Sequence, residues 1–175
     1  MDTLDSSSRE AHWLFLLGAF LILLSMFVGL ALAWSVFPNL LLGLAAHVGG
    51  MIQGIMVIAF GVLWPRLKLS RTLSAIGFWL VVYSQLISFG IQVLTALWDA
   101  GGELFRLAGS EVIGANPVQE IMLGAARGSP LQEQIIYIGL GTALLAALVA
   151  QVIIIWGLWS SVREEKKREA TLVRD

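Results

Sequence analysis

The chain has 175 residues, of which 58% are hydrophobic and only 13% charged, with a formal net charge of -1 at pH 7. These proportions exclude an ordinary soluble domain, and the near-neutral balance gives no reason to expect nucleic acid as a partner. The absence of cysteine is compatible with any redox compartment.

The charges are segregated. No Asp, Glu, Lys or Arg occurs from Ala11 to Pro65, from Thr72 to Trp98, or from Gln134 to Val162. A bilayer core takes about 20 apolar residues per helix. The first stretch therefore holds two passes, broken at Pro38-Asn39, and each of the others holds one. The expected fold is an all-α membrane protein, a four-transmembrane-helix bundle forming a single domain over residues 1–175. Its helices are expected at about 12–34, 41–64, 72–98 and 133–160, with an external loop over 99–132 and a cytoplasmic tail over 161–175.

The first helix has no basic region before it, since Asp2, Asp5 and Glu10 outnumber Arg9, and its apolar run exceeds that of a signal peptide. It is expected to be a mature span. The second helix carries His47, a costly group at membrane depth unless it is satisfied or used. Residues three and four apart share a helix face, so Gly43, His47, Gly50, Gly54 and Gly61 form one stripe. Small residues in a membrane helix permit close helix contact. An imidazole flanked by glycines also leaves room for a flat macrocycle. Two readings of His47 are open: a hydrogen bond to a neighbouring helix, or ligation of iron. Each chain has one deeply placed histidine, so in the second reading the iron keeps one open position unless Met51 or Met56 closes it. Gln53 is a further polar group on this helix, suited to interhelical bonding or to a pocket.

The connection to the third helix carries Arg66, Lys68 and Arg71, and the tail carries Arg163, Lys166, Lys167, Arg168 and Arg174, against only Arg106 and Arg127 on the other side. Both termini are therefore expected in the cytoplasm, in the bacterial inner (cytoplasmic) membrane. Trp13, Trp34, Trp64, Trp98, Trp156 and Trp159 all fall near predicted helix ends and read as interface markers. The tail reads as a solvated helix extension with i,i+4 charge pairs.

The third helix has a polar stripe of Ser84, Ser88, Gln92 and Thr95, ending in Asp99, with Tyr83 and Gln85 beside it. Lipid does not solvate such a stripe, so it faces the bundle or a subunit interface. The fourth helix opens with Gln132, Glu133, Gln134 and Tyr137, followed by Gly139 and Gly141; Gln151 is isolated. His47, Gln92 and Thr95 lie at comparable depth in the outer half, which favours one shared site. The 99–132 loop, with Pro117, Pro130 and many glycines, is long for a compact bundle and is placed to roof that site. Its Glu103, Glu111 and Glu120 read as solvated groups.

The run Ala46-His47-x-Gly49-Gly50-x-x-Gln53-Gly54-x-Met56-Val57-Ile58-Ala59 resembles the second helix of styrene oxide isomerases. The strings Leu63-Trp64-Pro65-Arg66-Leu67-Lys68-Leu69, Gly77-Phe78-Trp79-Leu80-Val81-Val82-Tyr83 and Trp98-Asp99-Ala100-Gly101-Gly102 are similar to hydroxylaminobenzene mutases. The resemblance covers about residues 12–160. It implies a small membrane homotrimer holding haem b between subunits through the histidine that matches His47. It implies a ferric iron acting as Lewis acid on an epoxide, or, for the mutases, conversion of hydroxylaminobenzene to 2-aminophenol. The epoxide family has Asn at Gln53, a further Asn that falls at Ser88, and a substrate-binding Tyr that falls at Gln92, so the haem site carries over better than the substrate site.

Together these imply a membrane-embedded, haem-dependent isomerase of the mutase type. His47 is the expected iron ligand, with Gly50 and Gly54 beside the haem. Gln53, Ser88 and Gln92 are expected to orient a small aromatic substrate that partitions from the lipid bilayer. Its rivals are an epoxide isomerase, a non-catalytic haem-binding or electron-carrying subunit, and a purely structural bundle.

Overall fold

Helix ends in this chain are set by a few polar residues placed where the apolar runs stop. The computed structural model describes residues 2–100 and 128–172, with side chains described over 7–100 and 128–163. It contains helices α1 (Asp2–Ala33), α2 (Leu40–Leu63), α3 (Arg71–Trp98) and α4 (Pro130–Leu172), and a 3-10 turn at Trp64–Arg66 directly after α2. Each helix holds a span long and apolar enough to cross a membrane: Ser7–Ala33, Leu40–Arg66, Arg71–Trp98 and Pro130–Arg163. Among the described residues there is no strand. The four expected spans match these helices, running past α1 by Trp34 and past α2 by Trp64. α1 begins earlier, and α4 continues into the charged tail, whose Glu-, Lys- and Arg-rich sequence of good helix propensity prolongs it beyond its apolar span. The side-chain pairs expected in that tail, and the expected role of the 99–132 loop as a roof, fall largely on residues 164–175 and 101–127, outside the described ones.

α1 ends in a left-handed residue, Ser35 (φ 55). The Ser35 amide donates to the Leu32 carbonyl and the Val36 amide to the Ala31 carbonyl, the paired bonds of a Schellman end. Pro38 cannot continue a helical ladder, and Asn39 caps α2 by accepting from the Leu41 and Leu42 amides at 3.0 and 3.4 Å. Ser70 caps α3, accepting from the Leu73 amide, and Asp99 closes it in the left-handed conformation.

The helices pack in series, α1 along α2, α2 along α3 and α3 along α4, with a smaller contact between α1 and α3. The main core runs through Leu14, Leu21, Val57, Val81, Phe89 and Ile154. A second cluster of Ile91, Ala100 and Ile136 joins α3 to α4. At Gly18 and Gly54 the backbones of α1 and α2 meet. A β-carbon built at Gly54 would lie 2.7 Å from the Gly18 carbonyl, and one at Gly18 would lie 2.6 Å from the Gly54 carbonyl. No larger residue permits that approach.

The N-terminal end of α1, the 2–3 turn and the later part of α4 share one side. Ser7 donates to the Trp64 carbonyl, and the Lys68 amide donates to the Gly157 carbonyl. Trp64 does not mark an interface here: it is 1% exposed, and its indole N–H donates to Glu10 Oε2 at 2.8 Å. Ser74 Oγ donates to the same oxygen at 2.6 Å. One carboxylate from α1 thus links the turn after α2 to α3. By contrast, Trp13, Trp34 and Trp159 are exposed.

Candidate active site

His47 projects from α2 onto α1. Its Nδ1 lies 2.7 Å from the Ser25 carbonyl oxygen and 3.2 Å from Ser25 Oγ. A carbonyl oxygen can only accept, so Nδ1 carries the proton and the lone pair is assigned to Nε2. Ser25, fully buried, returns a hydrogen bond from its hydroxyl to the His47 carbonyl. The ring lies flat on the α1 backbone at Gly29: a β-carbon there would lie 2.8 Å from Cε1, 2.9 Å from Nδ1 and 3.2 Å from Nε2. His47 is half-buried, and among the described residues no partner takes Nε2.

This arrangement joins the two readings of His47. The ring is bonded to a neighbouring helix, as the simpler reading requires. The bond uses Nδ1 and a backbone carbonyl, the support that ligating histidines characteristically receive. It leaves the outer nitrogen unprotonated, aimed away from the bond and able to donate a lone pair. Among the described residues no three His, Cys, Asp or Glu side chains gather to hold a bare metal ion. A porphyrin brings four of its own nitrogens and asks the protein for one axial donor, which His47 fits.

The space beside Gly50 and Gly54 is taken by protein. A β-carbon at Gly50 would lie 2.3 Å from Phe89 Cε2 and 3.0 Å from Ser25 Cβ, and one at Gly54 would lie 2.5 Å from Ile22 Cγ1. Both glycines serve the contact of α2 with α1 and α3. Within one chain, the face expected to be open for a macrocycle is closed at these two positions, because a membrane helix gains more from a close neighbour than from a void.

Gln53, Ser88 and Gln92 do come together. Gln53 Nε2 donates to Ser88 Oγ at 3.1 Å, and Gln92 Nε2 donates to the same oxygen at 3.3 Å. Gln92 Oε1 lies over Gly49, where a β-carbon would fall on it. The cluster occupies the α2–α3 seam, whereas His47 occupies the α1–α2 seam, and Gly50 with Phe89 stands between them. The single shared site expected from depth alone is thus two neighbouring seams on either side of α2. Of the remaining polar stripe, Ser84, Gln85, Thr95 and Asp99 are buried. Tyr83 reaches the other way, donating to Thr142 Oγ1 of α4 at 3.0 Å.

Ser25 and Gly29, which hold and face the imidazole, were not singled out by sequence reasoning. Ser25 is an interior serine of an apolar helix, and its being the only hydroxyl between Ser8 and Ser35 was the available signal.

Comparison with known proteins places these residues in context. The family model for styrene oxide isomerase matches residues 10–159, which contain His47, Ser25, Gly29 and the Gln53, Ser88 and Gln92 cluster. Hydroxylaminobenzene mutase HabA of Ectopseudomonas oleovorans is 32% identical over 147 residues, covering 83% of this chain and 96% of the mutase. Hydroxylaminobenzene mutase HabB of the same organism is 28% identical over 161 residues, covering 92% of this chain and 88% of the mutase. No solved structure matches the chain at significance.

Proposed function

Since this chain belongs to the styrene oxide isomerase family and is an isomerase, we propose that its substrate is an aryl hydroxylamine, rearranged within the membrane to the aminophenol of equal mass. In that reaction the N–O bond breaks and a C–O bond forms at the ortho carbon. The proton lost from that carbon is balanced by one gained at nitrogen, so no external oxidant or reductant is needed. The similarity to two hydroxylaminobenzene mutases over most of their lengths supports this substrate class. Gln, Ser and Gln at the positions where the epoxide family has Asn, Asn and Tyr support it further.

The proposed cofactor is haem b, with His47 Nε2 as its axial donor. The observation that carries this is the Nδ1 hydrogen bond to the Ser25 carbonyl, which fixes the tautomer a ligand needs. When bound, the haem would supply a Lewis acid with one open position for the substrate's heteroatom. This chain's residues do the rest. Ser25 holds the imidazole, Gln53, Ser88 and Gln92 present an oriented amide and hydroxyl array, and the apolar helices exclude water, which strengthens every dipole inside. His47 and the amide cluster lie in different seams of one chain. A homotrimer, in which a neighbour's seam completes the pocket, brings them to a common substrate. The proposed setting is the bacterial inner membrane with both termini cytoplasmic, as the Lys and Arg distribution favours; a C-terminal fluorescent-protein fusion should fluoresce.

The test is direct. Detergent-purified protein from haem-replete cells should show a Soret band that disappears in His47→Ala. It should also convert hydroxylaminobenzene to an isomer of equal mass. Absence of the band in the unmodified protein would remove the haem from this reading. Turnover of styrene oxide in place of hydroxylaminobenzene would favour the epoxide reaction, which the family-model match supports as the second reading.

A further inference from the structure

Two amide oxygens, one on α2 and one on α3, are enclosed by protein and have no hydrogen-bond donor: Gln53 Oε1 and Gln85 Oε1. Gln85 is 6% exposed, and neither oxygen has a partner among the described residues. Leaving such a group unpaired costs about 1–3 kcal/mol, and lipid supplies no water to relieve it. An amide used only to fasten two helices would have its oxygen satisfied.

The two oxygens belong to one place. Ser88, Phe89 and Gln92 of α3 all meet α2, at Gln53, Gly50 and Gly49 respectively. Gln85 precedes them by three, four and seven residues, so it shares their face. The bonds within the seam reach neither oxygen. Gln53 Nε2 and Gln92 Nε2 both go to Ser88 Oγ, and Ser84 Oγ goes to the Val81 carbonyl. The seam therefore holds two unpaired acceptors, one from each helix.

We infer that Gln85, together with Gln53, forms an acceptor pair that takes the N–H and O–H of the substrate head group, making Gln85 a positioning and specificity residue. An aryl hydroxylamine carries both donors. An epoxide carries none, so it would leave both oxygens unpaired and be rejected, as sites built to bond a polar hydrogen reject analogues lacking it. The substrate identity rests on the proposed function above; the demand for a donor-bearing ligand rests on the seam alone.

The experiment uses the full chain in detergent. The unmodified protein, Gln85→Met and Gln85→Leu are compared for binding of hydroxylaminobenzene, of its N,O-dimethyl analogue and of styrene oxide, followed by tryptophan fluorescence, and for turnover. The unmodified protein should prefer hydroxylaminobenzene over the dimethyl analogue by about tenfold or more. Gln85→Met should weaken hydroxylaminobenzene about tenfold and leave the analogue unchanged, shrinking the preference by the same factor. The same variant should melt at a higher temperature without ligand, because methionine fills the space without an unmet demand. Gln85→Leu should follow in both respects. An undiminished preference in Gln85→Met, or a lowered melting temperature in both variants, would overturn the inference and assign Gln85 a structural bond instead. A Gln85-dependent preference without any isomer formed would keep the acceptor pair and remove the mutase reaction. Turnover with an unchanged KM in both variants would do the reverse.

Discussion

A histidine in lipid is informative only once its proton is located. Here the 2.7 Å contact of Nδ1 with the Ser25 carbonyl locates it and leaves Nε2 free to bind. The contact depends on Gly29, because the imidazole lies where a side chain on α1 would otherwise stand. Gly29→Ala should therefore displace the ring. Alanine raises the intrinsic helix propensity of α1, so the protein should fold normally while activity falls about 10- to 100-fold. Isomerase assays alongside circular dichroism check this; full activity would show that the ring does not need its present seat. At this scale the sequence was partly legible. His47, Gln53, Ser88 and Gln92 stand out because polar groups are rare in apolar runs, and the three in the α2–α3 seam meet. Ser25 and Gly29 did not stand out, because serine and glycine are ordinary in membrane helices and only the docking of α1 gives these two their task.

Helices are easier to read than their pairings. The gap at Pro38-Asn39 and the charged 2–3 turn bound the spans, since proline and charge act locally on the backbone and on the bilayer. The faces did not follow. Periodicity placed Gly43, His47, Gly50, Gly54 and Gly61 on one stripe, but a stripe of small residues suits a helix and a cofactor equally, and it is occupied by Phe89 of α3 and Ser25 of α1 at Gly50 and by α1 at Gly54. The left-handed Ser35 at the end of α1 offers a test of the local account. A non-glycine residue there carries about 1–2 kcal/mol of strain, so Ser35→Gly should stabilise the protein by about 1 kcal/mol. Thermal melting in detergent measures it, and a drop would mean that the serine side chain earns its place by an interaction of its own.

Across the whole molecule, the Glu10 carboxylate joins α1 to the turn after α2 and to α3 at one end of the membrane span. A buried indole N–H depends on it. Glu10→Ala should leave that donor unmet and cost about 1–3 kcal/mol, lowering the melting temperature by several degrees. Glu10→Gln, which keeps an acceptor oxygen, should lose less. Equal losses would mean that the negative charge, not the acceptor, holds the three segments together. This tie was invisible in the sequence, where Glu10 reads as one of several charges before the first span and Trp64 as one of several interface tryptophans. The acceptor that orients the His47 imidazole, meanwhile, belongs to the main chain. Replacing the side chain at position 25 leaves the carbonyl in place, so a survey of point variants will pass over the interaction that decides which ring nitrogen faces outward.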